Sequence, residues 1–141
     1  MKFFRAIAML FSLLFFAGCG KEEQNNVPVV TVQFQAPVND FRLSALNVPG
    51  NGVMISGYGV AGLVIYRSQN GNYLAYDRCS SYQPEKRCSV EFEEGITFQV
   101  IDPCSGSKFS LEDGSPVKAP ASRSLKPYNC YVRNSVIFVV N

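Results

Sequence analysis

The sequence contains no histidine and no tryptophan among its 141 residues. The absence of histidine excludes the Ser-His-Asp triad, the Cys-His dyad, histidine metal ligands and a histidine proton shuttle. The chain also lacks a large excess of positive or negative charge, because it has 13 Lys and Arg residues and 11 Asp and Glu residues. No basic cluster interrupts this balance, so the chain offers no electrostatic footprint for nucleic acid. The length allows one domain of ordinary size.

The longest apolar run lies at the start of the chain, where Lys2 and Arg5 precede residues 6–17. This run is short for a membrane span, which needs about 20 residues, and it has the length of a signal-peptide hydrophobic region. It ends at residues 16–19, Phe-Ala-Gly-Cys, which resemble the lipobox of bacterial lipoproteins. The resemblance implies cleavage before Cys19 and a diacylglyceryl anchor on its thiol. Ordinary secretory cleavage and an uncleaved anchor are the alternatives.

The residues around Cys19 set the expected location of the protein. A polar stretch follows the cysteine and indicates a flexible tether. Its start, Cys-x-Lys-Glu-Glu, is similar to a surface-export signal of some Gram-negative lipoproteins, and Gly20 is compatible with the outer membrane. We therefore expect a signal peptide at residues 1–18, an anchored tether at residues 19–27 and a domain at residues 28–141. The expected location is the bacterial cell envelope, at the outer membrane or exposed on its surface.

The remainder of the chain has the pattern of strands and turns. Short runs of β-branched and aromatic residues recur between turn residues, and no stretch has helical spacing. Asn70-Gly71 is a strong hairpin signal, because both positions tolerate positive φ. About eight to ten strands at this spacing predict an all-β fold, an antiparallel β-sandwich or small barrel. The predicted strands are residues 29–34, 53–58, 63–67, 73–77, 90–92, 97–101 and 136–140.

Residues 57–62 match the pattern Gly-x-Gly-x-x-Gly, and Asp77 lies twenty residues beyond the first glycine. In dinucleotide-binding proteins this pattern binds phosphate only where a helix begins after the glycines. Here residues 63–66 are Leu-Val-Ile-Tyr, which favour a strand. The pattern therefore predicts a glycine-rich bend between strands and no nucleotide site.

Four cysteines remain for the domain once Cys19 carries the anchor. They are Cys79, Cys88, Cys104 and Cys130. An even number of cysteines in an oxidising compartment predicts two disulfides, with three possible connectivities. A zinc site of four cysteines usually has pairs separated by two to four residues, and the spacings of 9, 16 and 26 contain none. A thioredoxin-type Cys-x-x-Cys is absent as well.

Residues 102–109, Asp-Pro-Cys-Ser-Gly-Ser-Lys-Phe, resemble the second cluster-binding loop of Rieske iron–sulfur proteins, Cys-Pro-Cys-His-Gly-Ser-x-Phe. Residues 111–125 are similar to the family's Asp-Gly turn, Gly-Pro-Ala stretch and Arg-Pro-Leu ending. Residues 73–79 are similar to the strand that leads into the first loop, Cys-x-His. The resemblance covers roughly residues 53–141. It implies a Rieske-like fold of antiparallel sheets, with both loops at the tip of a small subdomain.

The resemblance also places the family's four cluster ligands on positions of this chain. Cys79 stands at a cysteine ligand, Ser81 at a histidine, Asp102 at the other cysteine and Ser105 at the other histidine. A Rieske centre needs two thiolates and two imidazoles, and a hard carboxylate is a poor substitute for a thiolate. The resemblance therefore implies that the 2Fe-2S cluster is lost and that no cofactor is bound. A retained cluster is the alternative.

Many Rieske proteins carry one additional cysteine in each loop, and the two form a disulfide that braces the loops. Cys104 stands at one of these positions, and Cys88 corresponds to the other. The resemblance therefore implies a Cys88–Cys104 disulfide, which leaves Cys79 to pair with Cys130.

Three functions compete on this basis, and none assigns a catalytic residue. The first is a disulfide-braced binding or structural module, which contacts an unknown envelope protein through residues 80–87 with Ser105 and Gly106 opposite. The second is electron transfer through a retained 2Fe-2S cluster. The third is thiol–disulfide redox chemistry, which requires a lowered thiol pKa that Arg78 and Arg87 would provide.

Overall fold

A computed structural model of the chain describes residues 26–141. The expected signal peptide at residues 1–18, the lipidation site Cys19 and most of the tether lie outside the described residues. Val27, at the end of the expected tether, is packed into the domain with 3% of its surface exposed. Over residues 26–141, no helix has both the length and the apolar character that a membrane crossing requires.

Ten antiparallel strands and two short 3₁₀ helices make up the described part of the chain, so the predicted all-β class is confirmed. The 3₁₀ helices, Phe41–Asn47 and Pro84–Lys86, were not predicted. The strands are β1 Gln33–Pro37, β2 Asn51–Ile55, β3 Leu63–Arg67, β4 Tyr73–Asp77, β5 Glu91–Phe92, β6 Gln99–Ile101, β7 Lys108–Ser110, β8 Pro116–Lys118, β9 Pro127–Arg133 and β10 Val136–Val140.

The strands form two sheets. A six-stranded sheet has the order β1-β10-β9-β4-β3-β2, and a four-stranded sheet has the order β5-β6-β7-β8. The predicted bounds of β3, β4 and β10 are correct, whereas β7, β8 and β9 were missed. The first two missed strands have three residues each and include polar ones, and β9 begins with a proline. Their pairing with neighbouring strands, rather than a local apolar run, defines them.

The hairpin between β3 and β4 directs the chain toward the loops. The predicted hairpin is present, but its turn differs from the expected one. Gly71 adopts a φ of +89° and its amide donates to the Ser68 carbonyl oxygen at 2.9 Å, so Gly71 is the last residue of the turn, and Asn70 does not have a positive φ. From this turn β4 runs along β3 and ends at Asp77. The chain then enters the first of two loops at the far end of the domain.

Strand β3 is buried on both faces. Leu63 and Ile65 lie in one core, which the six-stranded sheet forms with the 3₁₀ helix Phe41–Asn47. Val64 and Tyr66 lie in a second core, which β3 and β4 share with the four-stranded sheet. This position explains why β3 is a continuous apolar run rather than an alternating one. The two cores fix the four-stranded sheet, and therefore both loops, against the larger sheet.

Candidate functional site

The second loop, residues 102–107, connects β6 to β7 and folds around Asp102. The Asp102 amide donates to the Ser107 carbonyl oxygen at 2.8 Å, and the Gly106 amide donates to the Asp102 carbonyl oxygen at 2.8 Å. The Asp102 side chain accepts from the Cys104 amide at Oδ1, at 2.8 Å. Ser105 Oγ donates to Oδ2 of the same carboxylate at 2.6 Å. A local turn of this kind is a common role for an aspartate at the start of a loop.

The first loop, residues 78–90, leaves β4 and returns to β5. It is closed at its base by a hydrogen bond from the Ser80 amide to the Cys88 carbonyl oxygen, at 2.8 Å. Gln83 and Arg87 flank the 3₁₀ helix Pro84–Lys86 with φ values of +50° and +52°. The left-handed region is costly for residues with a side chain, and such strain concentrates at functional loops. The strained segment lies within the predicted binding surface of residues 80–87.

Two connections join the loops. The Cys88–Cys104 disulfide links them with a Cα–Cα distance of 6.3 Å, as the resemblance implied. Ser80 Oγ donates to Asp102 Oδ2 at 2.7 Å, between residues that are each 1% exposed. The loops are therefore cross-linked both covalently and through a buried carboxylate.

The structure gives each of the four ligand positions a structural contact. Cys79 is fully buried, and its Sγ lies 3.6 Å from the Pro84 carbonyl oxygen. Ser81 Oγ donates to the Arg123 carbonyl oxygen at 2.6 Å. Asp102 and Ser105 hydrogen-bond to each other. All four side chains are thus engaged in hydrogen bonds that hold the loops or the chain beside them.

These donors do not fit a Rieske 2Fe-2S cluster. The cluster needs two thiolates on one iron and two imidazoles on the other. This site supplies one sulfur, two neutral hydroxyls and one carboxylate. Burial and the carboxylate of Asp77 raise the pKa of the Cys79 thiol to about 11, although Arg87 opposes the rise. The donor set therefore lacks one thiolate and both imidazoles of a Rieske centre.

The expected Cys79–Cys130 disulfide is not formed, because both residues are free thiols. In the antiparallel register of β4 and β9, Ala75 pairs with Tyr128. Continuing that register places Cys130 opposite Tyr73, six residues before Cys79. Six residues of extended strand correspond to about 20 Å, well beyond the roughly 7 Å that a disulfide spans between Cα atoms.

At Cys79, the lowering of the thiol pKa that was expected from the arginines is outweighed by burial, and Cys88 is in a disulfide and has no thiol to titrate. Burial is the largest effect on the pKa of Cys79, and the field of Arg87 is too small to reverse it. Arg78 instead donates through Nε to the Val90 carbonyl oxygen at 3.1 Å. Burial raises the pKa of Cys130 to about 12. Neither free thiol has the low pKa that thiol–disulfide exchange requires.

The glycine-rich bend at residues 57–62 donates backbone hydrogen bonds to the side chain of Asp77. The Asp77 carboxylate is fully buried, and four donors converge on it. The close approach requires Gly59, since a Cβ there would lie 2.4 Å from Asp77 Oδ2. This contact fixes the end of β4 from which the first loop departs. The donors are the amides of Val60, Ala61 and Cys79 and the hydroxyl of Tyr128, at 2.6, 3.1, 2.7 and 2.7 Å.

A shallow cavity of about 250 Å³ opens beside the first loop. Asn26, the first described residue, lies on its wall together with Ser122 and Arg123. The chain therefore enters the domain at the same end as the loops. The first loop provides the rest of the wall, through Ser81, Tyr82, Gln83, Pro84 and Glu85.

Sequence reasoning missed two residues that organise this site, Ser80 and Asp77. Ser80 occupies no ligand position in the resemblance, and its role depends on a contact 22 residues away. Asp77 was noted in a misleading nucleotide pattern and in the strand that leads into the first loop, without a role in the site. The glycines that precede it were a usable signal, because closely spaced backbone amides in a glycine-rich bend can bind any carboxylate.

No protein-family model matches this sequence, and no curated protein matches it either. Solved structures match it in fold. The plasma-membrane Rieske protein of the cyanobacterium Synechocystis PCC 6803 is 19% identical, with 79% of this chain and 98% of that chain covered and a TM-score of 0.53. A chain of the complex of reduced oxygenase and oxidized ferredoxin in carbazole 1,9a-dioxygenase is 19% identical, with 73% and 95% covered and a TM-score of 0.50. The chain therefore has a Rieske-like fold, as the loop resemblance implied.

Proposed function

We propose that this Rieske-fold domain is a cluster-free binding module of the bacterial cell envelope, held at the membrane by a lipidated Cys19. In this proposal the two cross-linked loops present a surface to a protein partner. The observation that carries it is the buried Asp102 carboxylate. Asp102 and Ser105 stand at two of the family's ligand positions, and they hydrogen-bond to each other. The bond from Ser80 to Asp102 joins both loops.

The arrangement of the loops supports recognition rather than electron transfer. A rigid scaffold that carries exposed loops is the common basis of binding surfaces. Here a disulfide and a buried hydrogen bond restrict the loops, so less conformational entropy is lost when a partner binds. Gln83 and Arg87 adopt left-handed φ values at the two ends of the 3₁₀ helix Pro84–Lys86, and residues in this region cluster at ligand-contacting sites. Glu85, Lys86 and Arg87 are exposed there and provide charges of both signs.

The entry point of the chain supports a partner at the membrane surface. Asn26 lies on the same cavity wall as the first loop. If Cys19 carries the anchor, the seven residues from 20 to 26 span at most about 25 Å. The loop surface would then face the membrane from a short distance. A partner in that position is a membrane protein or another envelope protein close to the lipid surface.

Absorbance and iron analysis test the absence of the cluster. The mature protein, purified anaerobically, is expected to show no visible charge-transfer bands and no bound iron, because the donor set lacks both imidazoles and one thiolate. The same measurement after in vitro reconstitution with iron and sulfide excludes loss during purification. Stoichiometric iron with visible bands would contradict the cluster-free binding module and support electron transfer.

Photo-crosslinking in intact cells tests the surface. A photoreactive amino acid at Glu85 or Ser122, both on the cavity wall, is expected to give the same discrete adduct. Arg133 is a matched control, because it is exposed at the end of β9 that lies away from the loops. Replacement of Cys19 by serine removes the proposed anchor and is expected to abolish the adduct. Equal adducts at Glu85 and Arg133 would contradict a specific loop surface.

A further inference from the structure

We propose that the reduced, dithiol form of this protein binds one divalent metal ion of borderline softness, such as Zn²⁺, through Cys88, Cys104 and Asp102. The two Sγ atoms and a carboxylate oxygen of Asp102 lie within 4.8 Å of one another. Two thiolates with one carboxylate form a donor set that suits Zn²⁺ and excludes the hard ions Mg²⁺ and Ca²⁺. The proposal does not depend on the binding role of the loops.

The ligands come from both loops, and the disulfide joins two of them in the oxidised protein. A dithiol reductant supplies two electrons, the S–S bond breaks, and each sulfur of Cys88 and Cys104 takes one proton. Binding of the metal then displaces both protons from the sulfurs. On a tetrahedral zinc with bonds of about 2.3 Å, two sulfurs lie about 3.8 Å apart. A Cα–Cα distance of 6.3 Å accommodates that separation with small movements of the side chains.

The loops stay together when the disulfide opens. Ser80 binds the carboxylate of Asp102 through its hydroxyl and the carbonyl of Cys88 through its amide. These bonds hold Asp102 and Cys88 without the S–S bond, and the hydrogen bond from the Cys104 amide to Asp102 Oδ1 holds the third ligand residue. The thiols therefore remain neighbours, and less chain entropy is lost on metal binding than between free loops.

Asp102 has the capacity to bind a cation in addition to its hydrogen bonds. Its Oδ1 accepts one hydrogen bond, from the Cys104 amide, and an ionised carboxylate oxygen has room for a second interaction. Across residues 26–141, neither ion pair of the protein involves Asp102, although it is 1% exposed. Buried charges are ordinarily paired or bound to metals. An ion can reach the site because Cys104 is exposed and Cys88 is half-buried.

This site differs from the cluster site that the Rieske resemblance places here. Three of the four cluster-ligand positions supply no ligand to the proposed ion, namely Cys79, Ser81 and Ser105. The two sulfurs are those of the bracing pair, and Asp102 is the one position in common. Three protein ligands leave the fourth coordination position of the metal open to water.

Titration with Cd²⁺, a spectroscopic substitute for zinc, tests the proposal on the mature domain. A Cys19→Ser, Cys79→Ser, Cys130→Ser triple variant, expressed without residues 1–18, leaves only Cys88 and Cys104 as thiols after reduction with a phosphine. The expected result is an ultraviolet thiolate-to-cadmium band that saturates at one ion per chain, with release of two protons. The oxidised protein is expected to show neither signal. A raised Tm of the reduced form in the presence of Zn²⁺ is the second readout.

Two variants in that background identify the ligands. Asp102→Asn is expected to weaken Cd²⁺ binding by about tenfold or more, with the thiolate band retained. Because Asp102 also holds the loops, Cys104→Ser provides a variant at an exposed position, and it is expected to halve the band and abolish tight binding. Equal affinity in the parent and in Cys104→Ser would overturn the proposal. A saturation at one ion per two chains, or no band in the reduced parent, would overturn it as well.

Discussion

Ser80 Oγ lies 2.7 Å from Asp102 Oδ2, and this buried hydrogen bond joins the two loops that a Rieske fold uses to hold its cluster. Ser105, at a histidine position of the family, donates to the same oxygen at 2.6 Å. The carboxylate thus accepts hydrogen bonds from both loops at a single oxygen. It holds two separate segments of chain at one point.

Replacement of Ser80 by alanine tests the strength of this link. The substitution removes one donor from a buried carboxylate, and we expect the free energy of unfolding to fall by about 1–3 kcal/mol. Ser122→Ala is the matched control, because Ser122 is exposed beside the same loop and its loss is expected to cost less than about 0.5 kcal/mol. Urea denaturation measures both. Equal costs for the two variants would show that the bond adds nothing to stability.

A comparison of alanine substitutions at Gly59 and Gly57 separates a steric clash with Asp77 from the backbone strain of a positive φ. Both have positive φ, +67° and +87°, so alanine at either position is strained by about 1–2 kcal/mol. A Cβ on Gly59 meets the Asp77 carboxylate at 2.4 Å, whereas a Cβ on Gly57 has no atom within 4 Å. Gly59→Ala is therefore expected to lower the urea midpoint well below that of Gly57→Ala. Coinciding midpoints would contradict a tight contact between the bend and Asp77.

The free thiols are expected to be unreactive in the folded protein. Burial raises the pKa of Cys79 to about 11 and that of Cys130 to about 12, so the thiolate fraction at neutral pH is very small. A colorimetric thiol reagent at pH 7.5 is expected to give no fast reaction with Cys79 or Cys130 without denaturant and to react with both in its presence. Non-reducing peptide mapping is expected to show the Cys88–Cys104 linkage. Rapid reaction under native conditions would restore the thiol–disulfide hypothesis.

The alkaline stability of the protein should depend on Tyr76. Burial raises its pKa from 10 in the unfolded chain to about 12 in the folded one. The unfolded state therefore loses this proton first, and the free energy of unfolding falls as the pH rises from about 10 to about 12. Below pH 10 the contribution is complete, because the hydroxyl is neutral in both states.

Tyr76→Phe is the variant that isolates this effect. At neutral pH it loses the hydrogen bond from Tyr76 to the Leu111 carbonyl oxygen and is expected to be about 1 kcal/mol less stable. The difference from the parent protein should narrow above pH 10, because only the parent carries the Tyr76 ionisation. Unfolding free energies measured from pH 8 to 11.5 provide the comparison. Parallel curves would contradict the raised pKa.

The fold was predictable where the chain carries its own periodicity. Apart from Arg67 and Asp77 at their ends, β3, β4 and β10 consist of apolar and aromatic residues, so their bounds follow from the sequence. β9 has exposed residues over most of its length and depends on pairing with β10 and β4. The 3₁₀ helix Phe41–Asn47 depends on a local cap, in which the Asp40 side chain accepts from the Arg42 amide at 2.9 Å.

The site was predictable only where a local motif carries it. The loop resemblance correctly implied the Cys88–Cys104 disulfide, because both cysteines lie within the two loop motifs. The Cys79–Cys130 pairing rested on elimination, and the register of β4 against β9 separates the two residues. The contact of Ser80 with Asp102 depends on how two loops meet in space, which neither loop encodes alone.

The burial of β3 on both faces has a consequence for how the domain unfolds. If the four-stranded sheet detached by itself, Val64 and Tyr66 would be exposed to water on a strand whose other face still fills the first core. Both cores therefore depend on β3. Separating the two sheets would expose apolar surface of β3 to water, which costs free energy. We expect the backbone amides of β3 to exchange with solvent only when the whole domain opens. The loops, although they lie at the edge of the domain, are then expected to lose their structure only when the whole domain unfolds.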